Sequence, residues 1–194
     1  MRLLAIVLTA ALAPAQPAAA QIGNPGGLAP DTRFDAPGVP APNQTNYQDR
    51  LFAQLAAAGG MAEVQFGRLA AEKASSSAVK EFAQHMIDDH TKANDKLAAI
   101  ADASKIPLPD KLDPDHQRIL GELQRLDGAT FDKAYISAQV TDHQKTALLL
   151  EWEINDGEDA QMQRFAAEAL PTVLEHLRMA RELQAELARQ AFAR

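Results

Sequence analysis

Cysteine is absent from all 194 residues, which excludes disulfide staples, thiolate metal sites, thiol catalysis and lipid attachment through a cysteine. Stability must come from packing. β-Branched residues are sparse beyond residue 45 and no alternating apolar pattern persists there, so strands are not expected. No segment reaches the roughly 20 consecutive apolar residues of a membrane-spanning helix. Positive charge is also in deficit. The 26 acidic and 19 basic residues give a formal net charge of −7, which argues against a nucleic-acid partner.

What is present starts with the N-terminus. Met1-Arg2 leads into a run from Leu3 to Ala13 that is apolar apart from Thr9, and Ala18-Ala19-Ala20 follow before Gln21. Residues 1–20 therefore read as a secretory signal peptide cleaved after Ala20, and the mature protein is expected to be periplasmic or secreted. Residues 21–45 are rich in proline and glycine, as in Asn24-Pro25-Gly26-Gly27 and Ala36-Pro37-Gly38-Val39-Pro40. Such a segment is a flexible tether. Asn43-Gln44-Thr45 fits a glycosylation sequon, a short pattern that acts only in a eukaryotic secretory pathway.

Residues 46–194 are dominated by alanine, leucine, glutamate, glutamine and lysine, the composition of an all-α domain. The pattern predicts a first long helix from Tyr47 to Ala74, a turn at Ser75-Ser76-Ser77, and a second long helix from Ala78 to Ala103. Ile106-Pro107-Leu108-Pro109 breaks the periodicity. A short helix is expected from Asp113-Pro114 to about Gly128, because aspartate caps and proline suits the first turn. Two more long helices follow, Thr130 to Asn155 and Glu158 to Ala191, hinged at Asp156-Gly157. Two hairpins joined by a long crossover form a ferritin-like four-helix bundle with a short extra helix in the crossover. An up-down-up-down bundle with an inserted helix satisfies the same pattern.

Each long helix carries an apolar row at helical spacing, and each row is interrupted once by a potential metal ligand. Phe52, Ala56, Gly59, Glu63, Phe66 and Ala70 share one face of the first helix; Val79, Phe82, Met86, His90, Ala93 and Leu97 share one of the second. The third row is Ile136, Val140, His143, Ala147 and Leu150, and the fourth is Phe165, Ala169, Val173, His176, Ala180 and Leu183. Residues facing one another across an antiparallel hairpin lie equally far from its turn. The midpoint of Glu63 and His90 falls within Ser75 to Ser77, and that of His143 and His176 falls about two residues from the second turn, an offset of roughly 3 Å. Both pairs are level. If the crossover brings the hairpins into register, Glu63, His90, His143 and His176 surround one point, and three imidazoles with a carboxylate suit iron, manganese, zinc, nickel or copper.

Each histidine follows an acid: Asp89-His90, Asp142-His143 and Glu175-His176. Neighbouring residues diverge by about 100° on a helix, so no acid can face its own histidine. Asp89, Asp142 and Glu175 are instead candidates to accept a ring N–H from a histidine on an adjacent helix, or to hold a second metal. His85 and His116 are expected to be exposed, and Tyr135, Trp152 and Met86 to be core. Pro171 is expected to kink the last helix before His176. Two readings compete: a transition-metal site, one version of which is an oxidase or peroxidase acting through that metal, or a non-catalytic envelope protein whose polar layer fixes helix register while its exposed faces bind a partner. No feature specifies a subunit count.

Phe52-Ala53-Gln54-Leu55-Ala56-Ala57-Ala58-Gly59-Gly60-Met61-Ala62-Glu63, Phe82-Ala83-Gln84-His85-Met86-Ile87-Asp88-Asp89-His90 and Leu170-Pro171-Thr172-Val173-Leu174-Glu175-His176, together with Phe131-Asp132-Lys133-Ala134-Tyr135 and Asp142-His143, resemble the bacterial domain of unknown function 4142 family. The likeness runs from about Asp49 to Leu183. It implies an extracytoplasmic protein with a ferritin-like helical fold and carries no established activity. Di-iron bundles place a glutamate three residues before each ligating histidine. Here those positions hold Ile87, Val140 and Val173, so ferroxidase chemistry and iron storage are not expected.

Overall fold

In the computed structural model, which describes residues 45–192, five helices run in the order α1 (Tyr47–Lys73), α2 (Ser77–Ala103), α3 (Pro114–Gln124), α4 (Gly128–Asp156) and α5 (Ala160–Phe192). The signal peptide, the sequon asparagine and nearly all of the tether lie outside the described residues. Among the described residues there is no strand, and no helix is long and apolar enough to cross a membrane.

Local chemistry sets the helix ends. Asn46 and Asp49 form a reciprocal capping box at the start of α1, each side chain accepting the other's backbone N–H at 2.9 Å. Asp113 caps α3, with Pro114 at the first helical position. Gly128 opens α4 at φ +58°, a left-handed conformation that a side chain would strain, and α4 therefore starts two residues earlier than the composition suggests. α5 starts at Ala160 rather than Glu158, because Asp159 is its cap: Asp159 Oδ1 accepts the N–H groups of Gln161 and Met162 at 2.8 and 3.1 Å. α5 then continues helical through Pro171.

Two buried aspartates decide the topology. Asp132, in the second turn of α4, accepts the backbone N–H groups of Ser75 and Ser76, each at 3.0 Å, and the Ser75 hydroxyl. Asp49, at the start of α1, accepts those of Glu158 and Asp159 at 2.9 and 3.2 Å. The first helix of each hairpin thus clasps the turn of the other. The start of α4 must lie beside the α1–α2 turn, so α4 runs antiparallel to α1, and the crossover travels the full length of the bundle. The route is up-down-down-up, as in ferritins, and not up-down-up-down. α1 packs on α2 and α4, α5 packs on α4 and α2, and α3 rests on α1 and α4.

Asp132→Ala would strip the acceptor from two buried-end amides and a hydroxyl. Charge-assisted bonds are worth about 1.5–3 kcal/mol each, so a loss of about 3 kcal/mol in unfolding free energy is expected after partial rehydration of the turn. Thermal and urea denaturation measure it. An unchanged midpoint would mean that the clasp contributes nothing.

The core divides in two. One apolar cluster contains Phe66, Phe82, Met86, Phe131, Tyr135 and Ile136. The other contains Phe52, Leu97, Leu150, Trp152, Met162 and Phe165. Full burial of each large side chain contributes roughly 1.5–3 kcal/mol. α1 approaches α2 closely at Gly67, where a Cβ would sit 3.0 Å from the Ala83 carbonyl oxygen. Tyr135, Trp152 and Met86 are core residues, as their positions in the sequence suggest.

Candidate metal centre

Between the two apolar clusters lies one polar layer. Glu63 of α1, His90 of α2, His143 of α4 and His176 of α5 are all buried, each no more than 8% exposed. Helical period places each side chain inward, and the crossover route puts all four at one depth. Their neighbours along each helix belong largely to the two cores, so apolar side chains border the layer above and below.

The three imidazoles form a closed triangle. Ring centroids are 5.5 Å apart for His90–His143 and for His90–His176, and 5.4 Å for His143–His176. One nitrogen from each ring lies within 4.8 Å of the others. The outer nitrogens are engaged: His143 Nδ1 is 3.0 Å from the Gln139 carbonyl oxygen and His176 Nε2 is 3.2 Å from Asp89 Oδ2. Donation to those oxygens fixes each tautomer and leaves a lone pair on the remaining nitrogen. His143 Nε2, His176 Nδ1 and His90 Nε2 have no hydrogen-bond partner. Three orphaned acceptors in one buried spot are costly unless something is shared among them.

Glu63 stands beside this triangle rather than in it. Its Oε1 is 3.7 Å from His143 Nδ1, the nitrogen turned away from the other rings, and its Oε2 accepts from Gln139 Nε2 at 2.6 Å. Burial, then the charge of Asp142, pushes the Glu63 carboxyl well above its usual range. Burial and the neighbouring imidazoles lower His90 to about 3, and burial and His176 lower His143 to about 4. Burial also lowers His176, against the opposing pull of Asp89. Burial thus disfavours the charged form of all four side chains.

With this geometry in view, comparison with known proteins is informative about the scaffold. The model of the family described as Domain of unknown function (DUF4142) matches residues 35–183. The chain belongs to the DUF4142 family. A crystal structure of a DUF305 fragment from Deinococcus radiodurans is also similar, with a TM-score of 0.65 over 77% of this chain and 99% of that one, at 14% identity. At that identity the likeness speaks for the helical fold alone. No curated protein matches the chain.

In this DUF4142 domain the acids that precede the histidines part company. Asp89 bonds His176 across the α2–α5 interface and also pairs with Lys92 at 3.4 Å. Asp142 faces His116 at 3.6 Å and, against its burial, the charges of His116 and His143 draw its carboxyl below the usual range. Glu175 is exposed and pairs with Arg178 at 2.6 Å; its 100° offset from His176 carries it to solvent and away from the histidines. His85 is exposed, as expected.

His116 is not exposed as its sequence position suggests. Its side chain is only 16% accessible, packed 6.0 Å from Phe66 and held between Asp113 and Asp142. Burial opposes its charge, but hydrogen bonds and charge from Asp142 and Asp113 raise it to about 9, making it an imidazolium. Two participants escaped the sequence reading. Gln139 sits four residues before His143, a spacing that marks it as a neighbour of that ring, and Asp113-x-x-His116 has the spacing of an N-cap pair.

Proposed function

We propose that this DUF4142 protein binds one transition-metal ion in its bundle core through His90, His143 and His176, with Glu63, Gln139, Asp89 and Asp142 orienting or buffering the ligands. The observation that supports this reading is the buried cluster of His90, His143 and His176, which brings one nitrogen of each ring within 4.8 Å of the others and leaves one nitrogen of each ring without a partner. Glu63 Oε2 has a partner in Gln139 Nε2, whereas each of the three imidazoles leaves a buried ring nitrogen without one. Nitrogens ligating one ion at about 2.1 Å lie roughly 3.4 Å apart, so rotations of about an ångström would close the triangle. Three neutral nitrogens are a borderline donor set suited to zinc, copper, nickel, iron or manganese in their divalent states. The signal-peptide reading of residues 1–20 makes the role extracytoplasmic, in metal handling or stress response outside the cytoplasm.

Purified mature protein, stripped with a chelator and titrated with Zn²⁺ and Cu²⁺, is expected to take up one equivalent. His90→Ala and His143→Ala should each weaken binding at least a hundredfold while preserving the helical circular dichroism signal. Glu175→Ala should leave binding unchanged. Absence of stoichiometric uptake, or full uptake by both histidine variants, would reject the metal reading and leave the layer a register-fixing network.

A further inference from the structure

Beside the histidine triangle the bundle is hollow. A cavity of about 290 Å³ reaches from the surface to Glu63, His90 and His176. Its walls are mostly apolar, supplied by Leu55 and Ala56 of α1, Leu97 of α2, Leu150 of α4, and Phe165 and Val173 of α5, with the uncharged side chains of Asn94, Thr146 and Thr172 among them. Gly59 leaves part of the space open: a Cβ built there meets no atom within 4 Å. The charges at the rim cancel in pairs. Lys96 bridges to Glu168 across α2 and α5, and Lys92 pairs with Asp89.

An apolar cavity of about 150 Å³ holds one benzene, so this one accepts a single ring with a short substituent. Apolar walls and a rim of paired charges offer no partner to an ionic body, since burying an unpaired charge is costly. The deep end is different. There His90 Nε2 and His176 Nδ1 lack partners, and three nitrogen ligands leave at least one position of a four-coordinate ion unfilled.

We propose that the cavity is the binding site for a small neutral molecule with a one-ring or short-alkyl apolar body and one lone-pair head, which enters between α2 and α5 and places its head at the ion held by the histidines. The inference rests on the metal reading and adds the class of ligand. It separates two jobs: the triangle holds the ion and the cavity selects what reaches it.

The test uses Co²⁺-loaded protein, with the visible spectrum reporting ligation, and pyridine and 4-ethylpyridine as probes at pH 8, where both are neutral. Two additional buried carbons are worth roughly a tenfold gain, so 4-ethylpyridine should bind about ten times tighter than pyridine. Gly59→Leu projects a side chain into the cavity from a position where a Cβ meets no atom within 4 Å, and it improves helix propensity. It should retain one equivalent of Co²⁺ but lose the preference for 4-ethylpyridine. Equal binding of the two probes to wild type, or an undiminished preference in Gly59→Leu, overturns the cavity proposal while leaving the metal reading intact. Failure of the wild type to take up Co²⁺ overturns both.

Discussion

In metal-free protein the buried histidines are expected to withdraw on the order of 3 kcal/mol of stability when the pH falls from 6.5 to 4, a loss read cleanly in a Glu153→Gln background. His90 and His143 have folded pKa values of about 3 and about 4, below the ordinary 6.5, because burial and mutual repulsion penalise their charged forms. The unfolded chain therefore binds protons that the folded chain refuses, and stability present above pH 6.5 is lost as pH falls toward the folded values. A single histidine shifted by more than two units contributes about 3 kcal/mol at pH 4, at about 1.4 kcal/mol per unit. The two do not add fully, since each repels the other's charge. Urea denaturation across this pH range measures the slope, and His90→Gln should reduce it. A flat stability profile of Glu153→Gln between pH 6.5 and 4 would contradict the burial of the histidines. Bound metal should deepen the loss, because protons compete with it for the same nitrogens.

The opposite slope is expected from Glu153. This side chain, fully buried at the end of α4, lies against Asp49 and Asp159 and folds over Gly157. Burial, then the charge and hydrogen bond of Asp49 and the charge of Asp159, raises it to about 10. A folded pKa above the unfolded 4.5 means that its stability contribution is complete below pH 4.5 and declines as pH rises toward 10. At pH 7 the cost of keeping it protonated is about 3 kcal/mol, at about 1.4 kcal/mol per unit. Glu153→Gln keeps the shape without that cost. It should be near neutral at pH 4.5, stabilising by about 3 kcal/mol at pH 7 and by more at pH 8. A variant equal to wild type at pH 8 would mean that Glu153 ionises freely there. With histidines opposing acid and Glu153 opposing base, stability should peak near pH 5 to 6.

The same buried acid explains a junction that composition does not reveal. Asp49, Glu153 and Asp159 meet where the start of α1 reaches the α4–α5 turn, more than 100 residues away in sequence. Nothing local to Glu153 distinguishes it from an exposed helical glutamate. Its protonation is a consequence of docking.

Much of the centre was nevertheless legible. A helix of fixed period puts His143 on the face of Ile136 and Leu150, and an antiparallel hairpin puts Glu63 opposite His90, so the four layer residues follow from spacing alone. Helix ends shifted by a residue or two at Gly128 and Asp159, where a glycine conformation and an aspartate cap outweigh the hydrophobic pattern. His116 was misplaced as exposed because its surroundings, Phe66 and Asp142, come from helices that only the crossover brings near.

The sequence by itself determined the all-α class, the two hairpins and which face of each helix turns inward, since these depend on periodicity and turn chemistry over a few residues. Only the tertiary structure decided the rest. It set the up-down-down-up route through Asp49 and Asp132, left Glu63 beside the histidine triangle, sent Glu175 to solvent, and opened the cavity beside His90 and His176. Those features arise from how separate helices meet, and the distances and desolvation that govern them exist only after the chain has closed on itself.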